Sequence, residues 1–280
     1  MTTATLDICD ELAVASAPAL ASNARVIVRT SRADPGPGCD PALAVFRDVN
    51  LACSRFDPES ELRRVNAHPD TWHVVGKTCS TALREAWWAY RRTSSEFDPR
   101  LHVGSTAGAT PPPWRPRFAD AARRVHLGGL PVDLDGIARG LALRWARRAL
   151  RGSQHFVSLG DAWTCSGRGL DGGPWRIGLQ DPAGDPSPLA VVGLTDTACV
   201  TSTVARASIA GQPVPSDLLA VTIVNPDAVA AAVWSMVLLT AREPHIAEVS
   251  ARLRLPAAWV TDDGTLHTSP ALEPKILWRC

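Results

Sequence analysis

The sequence predicts an α+β fold, a mostly antiparallel sheet with packed helices in one compact domain, and three observations carry that expectation. Strand-like runs at His155 to Leu159, Trp175 to Leu179, Leu189 to Leu194, Ala198 to Thr201 and Leu218 to Val224 follow one another through turns, in the manner of a meander. Helical patterning falls in separate segments, at about Asp40 to Ser54, Thr78 to Arg92 and Ile137 to Arg151. No internal repeat is visible, and no boundary divides the chain into independent domains.

Taken in order, Arg25-Val-Ile-Val-Arg-Thr30 reads as a strand and Asp34 to Gly38 as a turn. Asp40 caps the first helix, with Pro41 at its first position. Asp57-Pro58 breaks the chain, and Ser60 to Asn66 forms a short helix. Phe56 beside it reads as a core residue by burial habit. Thr71 to Val75 is a strand, and the helix from Thr78 turns Leu83, Trp87, Trp88 and Tyr90 toward its packing side. Val103 to Asp120, rich in Gly and Pro, reads as a long loop or a lid.

The helix from Ile137 carries Arg144, Arg147, Arg148 and Arg151 in its C-terminal half, and Gly152 supplies a left-handed stop. Gly167-Arg-Gly169-Leu-Asp-Gly172 matches the dinucleotide fingerprint formally, but Pro174 and a strand follow where a helix is required; it is read as a hairpin turn. Asn225 caps and Pro226 starts an apolar helix to about Ala241. A further helix covers Ile246 to Leu253, and Ala257 to Val260 pairs with Gly264 to His267 around Asp262-Asp-Gly264.

Composition excludes several classes of function. The 29 basic and 28 acidic side chains give a formal charge of +1 and are spread along the chain, so neither nucleic acid nor an electrostatic membrane patch is expected as partner. The seven cysteines are scattered and include no C-x-x-C pair, against both a disulfide framework and a zinc site and in favour of a reducing compartment. No apolar run approaches the roughly 18 residues of a membrane span, and Ser16 and Pro18 interrupt the only N-terminal candidate for a signal. A cytoplasmic protein without membrane insertion is the expectation. There is no G-x-S-x-G elbow, Walker loop or H-E-x-x-H, and the seven histidines show no ligand spacing.

What remains is Pro131-Val-Asp-Leu-Asp-Gly-Ile-Ala-Arg-Gly140, where an extended segment turns into a helix. Asp133, Asp135 and Arg139 converge where free helix N–H groups can meet an anion. The same two carboxylates also read as plain caps and dipole partners. Local pattern leaves both readings open.

Several segments in order resemble the FAD:protein FMN transferases of the ApbE type. Ser54-Arg-Phe-Asp-Pro-Glu-Ser-Glu-Leu with Asn66 looks like S-x-[FY]-x-P-x-S-E-L-x-x-[LF]-N. Glu96-Phe-Asp-Pro99 is similar to G-A-F-D-P, and Asp133 to Gly140 to D-L-G-[GA]-I-A-K-G. Val157-Ser-Leu-Gly160, Gly173-Pro-Trp175-Arg-Ile-Gly178 with Asp181-Pro182, Val200-Thr-Ser202, and Trp259-Val-Thr-Asp-Asp-Gly264 with Thr268-Ser-Pro270 continue the resemblance, over roughly residues 20 to 272.

The resemblance implies a T-fold-like domain over residues 23–280 after an N-terminal extension over 1–22. It implies an enzyme that binds FAD and magnesium, moves FMN onto a threonine or serine hydroxyl of a target flavoprotein, and releases AMP. By position it gives Phe56 the aromatic flavin contact, Glu96, Phe97 and Asp98 the segment along FAD, and Asp133 both a polar FAD contact and the catalytic place. It gives Arg139 the place of the family lysine, and Gly136 and Ser235 places at the metal. The family helix A-D-A-L-A-T is here Ala230-Ala-Ala-Val-Trp-Ser235, so Ala231 stands where the metal-binding aspartate should be. Asp227, earlier on that segment, could replace it or serve as a cap. The family's H-[IV]-[IV]-D-P motif is missing between Ser202 and Leu219, and Asp135 adds a carboxylate beside the expected phosphates. Two other readings follow from these departures: a non-catalytic flavin- or nucleotide-binding protein, or an interaction partner, that keeps the fold, and a small-molecule enzyme using Asp133 and Asp135 as an acid/base pair.

Overall fold

The computed structural model describes residues 5–9 (as backbone), 12–29, 38–101, 112–205, 217–241 and 243–280. Contacts divide the chain into two compact units, residues 1–46 with 139–280 and residues 47–138. Both crossing points fall inside helices, α1 (Asp40–Cys53) and α4 (Asp135–Ala149), so no linker composition marks them.

The first unit is built on a nine-stranded antiparallel sheet, in the order β1-β2-β3-β7-β8-β11-β12-β13-β14. Its strands are β1 (Thr5–Cys9), β2 (Leu12–Ala19), β3 (Ser22–Arg29), β7 (His155–Leu159), β8 (Ala162–Ser166), β11 (Ala198–Thr203), β12 (Leu218–Asn225), β13 (Ala257–Thr261) and β14 (Leu266–Thr268). Period-two burial is clearest in β3, where Ala24, Val26 and Val28 are sealed and Asn23, Arg25 and Arg29 face out. β12 and β13 are buried on both faces. On one face lies α5 (Ala228–Leu239), apolar nearly all round as suits a helix with no free side. On the other face, Cys165, Cys199, Val224 and Ala258 pack with Trp175, Ile177, Leu179, Val192 and Leu194. The latter residues come from a three-stranded sheet, β15 (Ile276–Arg279), β10 (Pro188–Leu194) and β9 (Trp175–Gln180). The helix α6 (Glu243–Arg252) completes this unit.

The second unit holds the end of α1, α2 (Glu61–Ala67), α3 (Lys77–Arg92) and a small sheet of β4 (His73–Val74), β6 (Arg124–His126) and β5 (Arg117–Ala119). Ser60 caps α2, its hydroxyl accepting the Arg63 N–H at 3.1 Å. Trp114 is anchored by its indole N–H to the Leu127 carbonyl at 2.7 Å, and its backbone N–H donates to the Tyr90 hydroxyl at 3.0 Å.

The α+β class, the antiparallel sheet and most elements agree with expectation; several readings need correction. Gly167 to Gly172 is no hairpin turn, because β8 and β9 that flank it belong to different sheets. The C-terminal strands are therefore not one meander. Trp88 is about half exposed, since Leu83, Ala86 and Tyr90 set the buried stripe and Trp88 falls outside it, under the Arg92 guanidinium. The apolar helix is capped by Asp227, whose carboxylate accepts the Val229 N–H at 3.0 Å; Asn225 accepts the Asp227 N–H instead. Of the loop expected over residues 103–120, 103–111 lie outside the described residues, while Trp114 is buried and Arg117–Ala119 is a strand. β2 lies in the segment expected as an extension and pairs along its whole length with β3.

Candidate functional site

Three segments distant in sequence meet within the second unit. Asn66, the last residue of α2's motif, clamps Val132 from both sides: its amide donates to the Val132 carbonyl at 2.8 Å and accepts the Val132 N–H at 2.9 Å. Val132 is fully buried, so no water replaces these bonds. The Asp133 N–H donates to Pro99 at 2.7 Å, Leu101 donates to Pro131 at 2.8 Å, and Arg100 and Val132 form a bridge. The Ser54 to Asn66, Glu96 to Pro99 and Pro131 to Gly136 stretches are thus parts of one construction.

Asp133 stands at its centre, and its side chain is only 9% exposed. One oxygen accepts the Asp135 N–H at 2.9 Å, fixing the entry to α4; the other lies 3.2 Å from Nε of Arg55. Arg55 in turn lies over the Phe56 ring, 4.3 Å from its centroid. Phe56 is 55% exposed, which corrects its reading as a core residue and leaves an aromatic face open beside a cation. Arg55 is the residue that sequence reasoning missed: it occupies a variable position of its motif, and only the fold brings it to Asp133.

The other expected residues divide by environment. Glu96 is exposed, Phe97 is buried, and Asp98 takes the Arg100 guanidinium on both oxygens, at 3.0 and 2.6 Å. Ser94 and Ser95, just before Glu96, both hold positive φ, 53° and 74°. Gly136 lies in the first turn of α4. Arg139 belongs to the first unit and is 3% exposed. Gly140, next to it, admits the close passage of α5: a Cβ there would sit 2.7 Å from the Val229 Cα and 2.9 Å from the Ala228 carbonyl oxygen.

The residues at the expected metal positions of α5 do not fit a hard cation. Ser235 is fully buried, its hydroxyl 2.8 Å from that of Ser202 and 3.0 Å from the Ala232 carbonyl, and Ala231 offers no donor. Asp227 is engaged as well: Arg144 reaches its two oxygens at 2.9 and 2.7 Å, the bidentate geometry of a structural pair. Among the described residues no three His, Cys, Asp or Glu side chains gather as a metal would need.

The first unit also contains a cavity of about 170 Å³ on the sheet face away from α5. Asp161, Asp181-Pro182 and Thr201 line it; Asp181-Pro182 and Thr201 belong to further segments of the resemblance, and Asp161 directly follows Val157–Gly160. The Thr201 and Thr222 hydroxyls meet there at 2.8 Å.

The fold joined to these sequence segments defines a known class. The ApbE family model matches residues 22–259, and the chain belongs to the ApbE family. In structure it is similar to the ApbE protein of Thermotoga maritima, with 21% identity, a TM-score of 0.78 and coverage of 98% of this chain and 99% of that one. The apo Pseudomonas stutzeri flavinyl transferase ApbE gives 18% identity, a TM-score of 0.77 and coverage of 96% and 99%. The Vibrio cholerae flavin transferase ApbE gives 18%, 0.72, and 98% and 100%. No curated protein matches the chain significantly in sequence. No helix among the described residues is long and apolar enough to cross a membrane.

Proposed function

We propose that this protein is an FAD:protein FMN transferase, moving FMN from FAD to a threonine or serine hydroxyl of a flavoprotein with release of AMP. Membership of the ApbE family supports the reading, as do the structural neighbours named flavin and flavinyl transferases. The observation that carries it is the joining of the Ser54, Glu96 and Asp133 segments around Val132, with an open Phe56 ring and the Arg55–Asp133 pair beside it.

In this reading the acceptor oxygen bonds to the FMN phosphorus, the anhydride bond to AMP breaks, and the hydroxyl proton leaves to solvent. Charge accumulates on the phosphate oxygens and the leaving group, and a preorganised cation stabilises it. Arg55 supplies that cation. Asp133 holds its guanidinium in place, and Phe56 offers the flavin an aromatic face. Arg139 takes the place of the family lysine at α4, retaining charge with a planar, bidentate head. Glu96 and Asp98 complete the segment along FAD. The α5 positions do not fit magnesium: Ala231 offers no donor, and the Ser235 hydroxyl is engaged by Ser202 and the Ala232 carbonyl.

A second reading, a flavin-binding protein without transferase activity, is favoured by one observation: Ala231 and the enclosed Ser235 stand where the family's metal donors would be. Mass spectrometry of a threonine-bearing acceptor peptide incubated with protein and FAD separates the two. Covalent FMN on the peptide, reduced at least tenfold in Asp133→Asn, is expected; flavin binding without any covalent product would select the second reading.

A further inference from the structure

The small sheet of the second unit presents one face to α3 and the other to solvent. Val125 is buried and Phe118 lies under the Arg84 guanidinium of α3, at 4.5 Å. Register places Arg117 opposite His126, and Ala119 and Val74 on either side of Arg124, all on the outer face. Trp72, 37% exposed, completes this face, and Val74 is 60% exposed. The guanidiniums of Arg117 and Arg124 both lie over the Trp72 ring, 5.3 and 5.2 Å from its centroid, with His126 against its edge at 5.8 Å. Arg64 donates to the Val74 carbonyl at 3.1 Å.

Among the described residues, no carboxylate forms an ion pair with Arg117 or Arg124, unlike Arg84 with Asp120 or Arg176 with Asp171. Two cations held together on an aromatic ring, with no counter-charge among the described residues and an exposed valine beside them, form an incomplete set. The missing part is anionic.

We propose that this face binds an acidic, extended segment of a partner protein. The two arginines stand two residues apart in register across the sheet, a spacing of roughly 7 Å that matches alternate side chains of an extended chain. Carboxylates at alternate positions would meet Arg117 and Arg124, with an apolar residue over Val74. Single-stranded nucleic acid is the weaker candidate: the Trp72 ring is already covered by guanidiniums and offers no base a clear stacking face, and a net charge of +1 supplies little field for a polyphosphate. This proposal stands on charge and register, independently of the flavin reading.

The test uses the full chain and two fluorescein-labelled octapeptides of equal composition, one alternating Glu and Thr, the other with its four Glu in a block. The alternating peptide should bind more tightly, and Arg117→Glu/Arg124→Glu should weaken it at least tenfold, with Arg117→Gln/Arg124→Gln in between. Arg176→Glu, on the other unit, should leave binding unchanged. Equal binding by wild type and the double reversal would overturn the proposal, as would equal affinity for the two peptides or tighter binding of an oligothymidylate of the same charge.

Discussion

Gly140→Ala isolates a contact on which the packing of α4 depends. In an ordinary helix interior this change stabilises by about 1 kcal/mol, because alanine has the better propensity. Here the added Cβ would lie 2.7 Å from the Val229 Cα, 2.9 Å from the Ala228 carbonyl oxygen and 3.0 Å from the Val229 nitrogen. All three are backbone atoms, so no rotamer change relieves the clash. The first turn of α5 must move, and with it the Asp227 cap and the Arg144–Asp227 pair. Overpacking of this kind costs up to about 3 kcal/mol, which exceeds the propensity gain. The net expectation is a loss of about 2 kcal/mol, or a melting temperature lower by about 5 °C for a chain of this size. Thermal unfolding followed by circular dichroism, with urea titration alongside, measures it. A variant as stable as wild type, or more stable, would refute the reasoning, since propensity alone predicts that sign.

Asn66→Ala should cost about 2–4 kcal/mol, by leaving the buried N–H and C=O of Val132 unsatisfied; a urea midpoint close to wild type would contradict the clamp. Ser95→Gly should stabilise by about 1 kcal/mol, because Ser95 holds φ of 74° where glycine is unstrained; lower stability in the same melt would count against that account. His155 is buried at the start of β7, and desolvation lowers its pKa below 6.5, with the Ser153 carbonyl opposing the shift. The unfolded chain therefore binds this proton more readily. The stability at stake is fully present above about pH 6.5 and is lost as pH falls from there through the folded value. Urea midpoints at pH 7.5 and 5.5 should show a fall that His155→Leu lacks; parallel falls in both proteins would exclude His155 as its source.

The fold was legible wherever local pattern and burial agree. β7 has the predicted limits, and α3 and α4 begin within two residues of expectation. The two-unit organisation was hidden because both crossings lie inside helices, where no glycine- or proline-rich stretch signals a boundary. The split of β8 and β9 between sheets was hidden for another reason: turn chemistry reports that the chain reverses, not which strand it next pairs with. At the site, Asp133 stood out through its motif, whereas Arg55 did not, because a variable motif position becomes informative only when tertiary contacts place it 3.2 Å from that carboxylate. The α5 positions were legible as a departure in the sequence. The structure adds that Ser235 spends its hydroxyl on Ser202 and Ala232.

The central claim is that the joined segments around Asp133 hold FAD for transfer. The most direct measurement is intact-mass analysis of an acceptor peptide after incubation with wild type, Asp133→Asn and Arg55→Ala, in FAD with and without a magnesium chelator. One FMN added per peptide by wild type, with at least tenfold less from either variant, is the predicted result. Equal modification by all three proteins, or an unmodified peptide throughout, would contradict it.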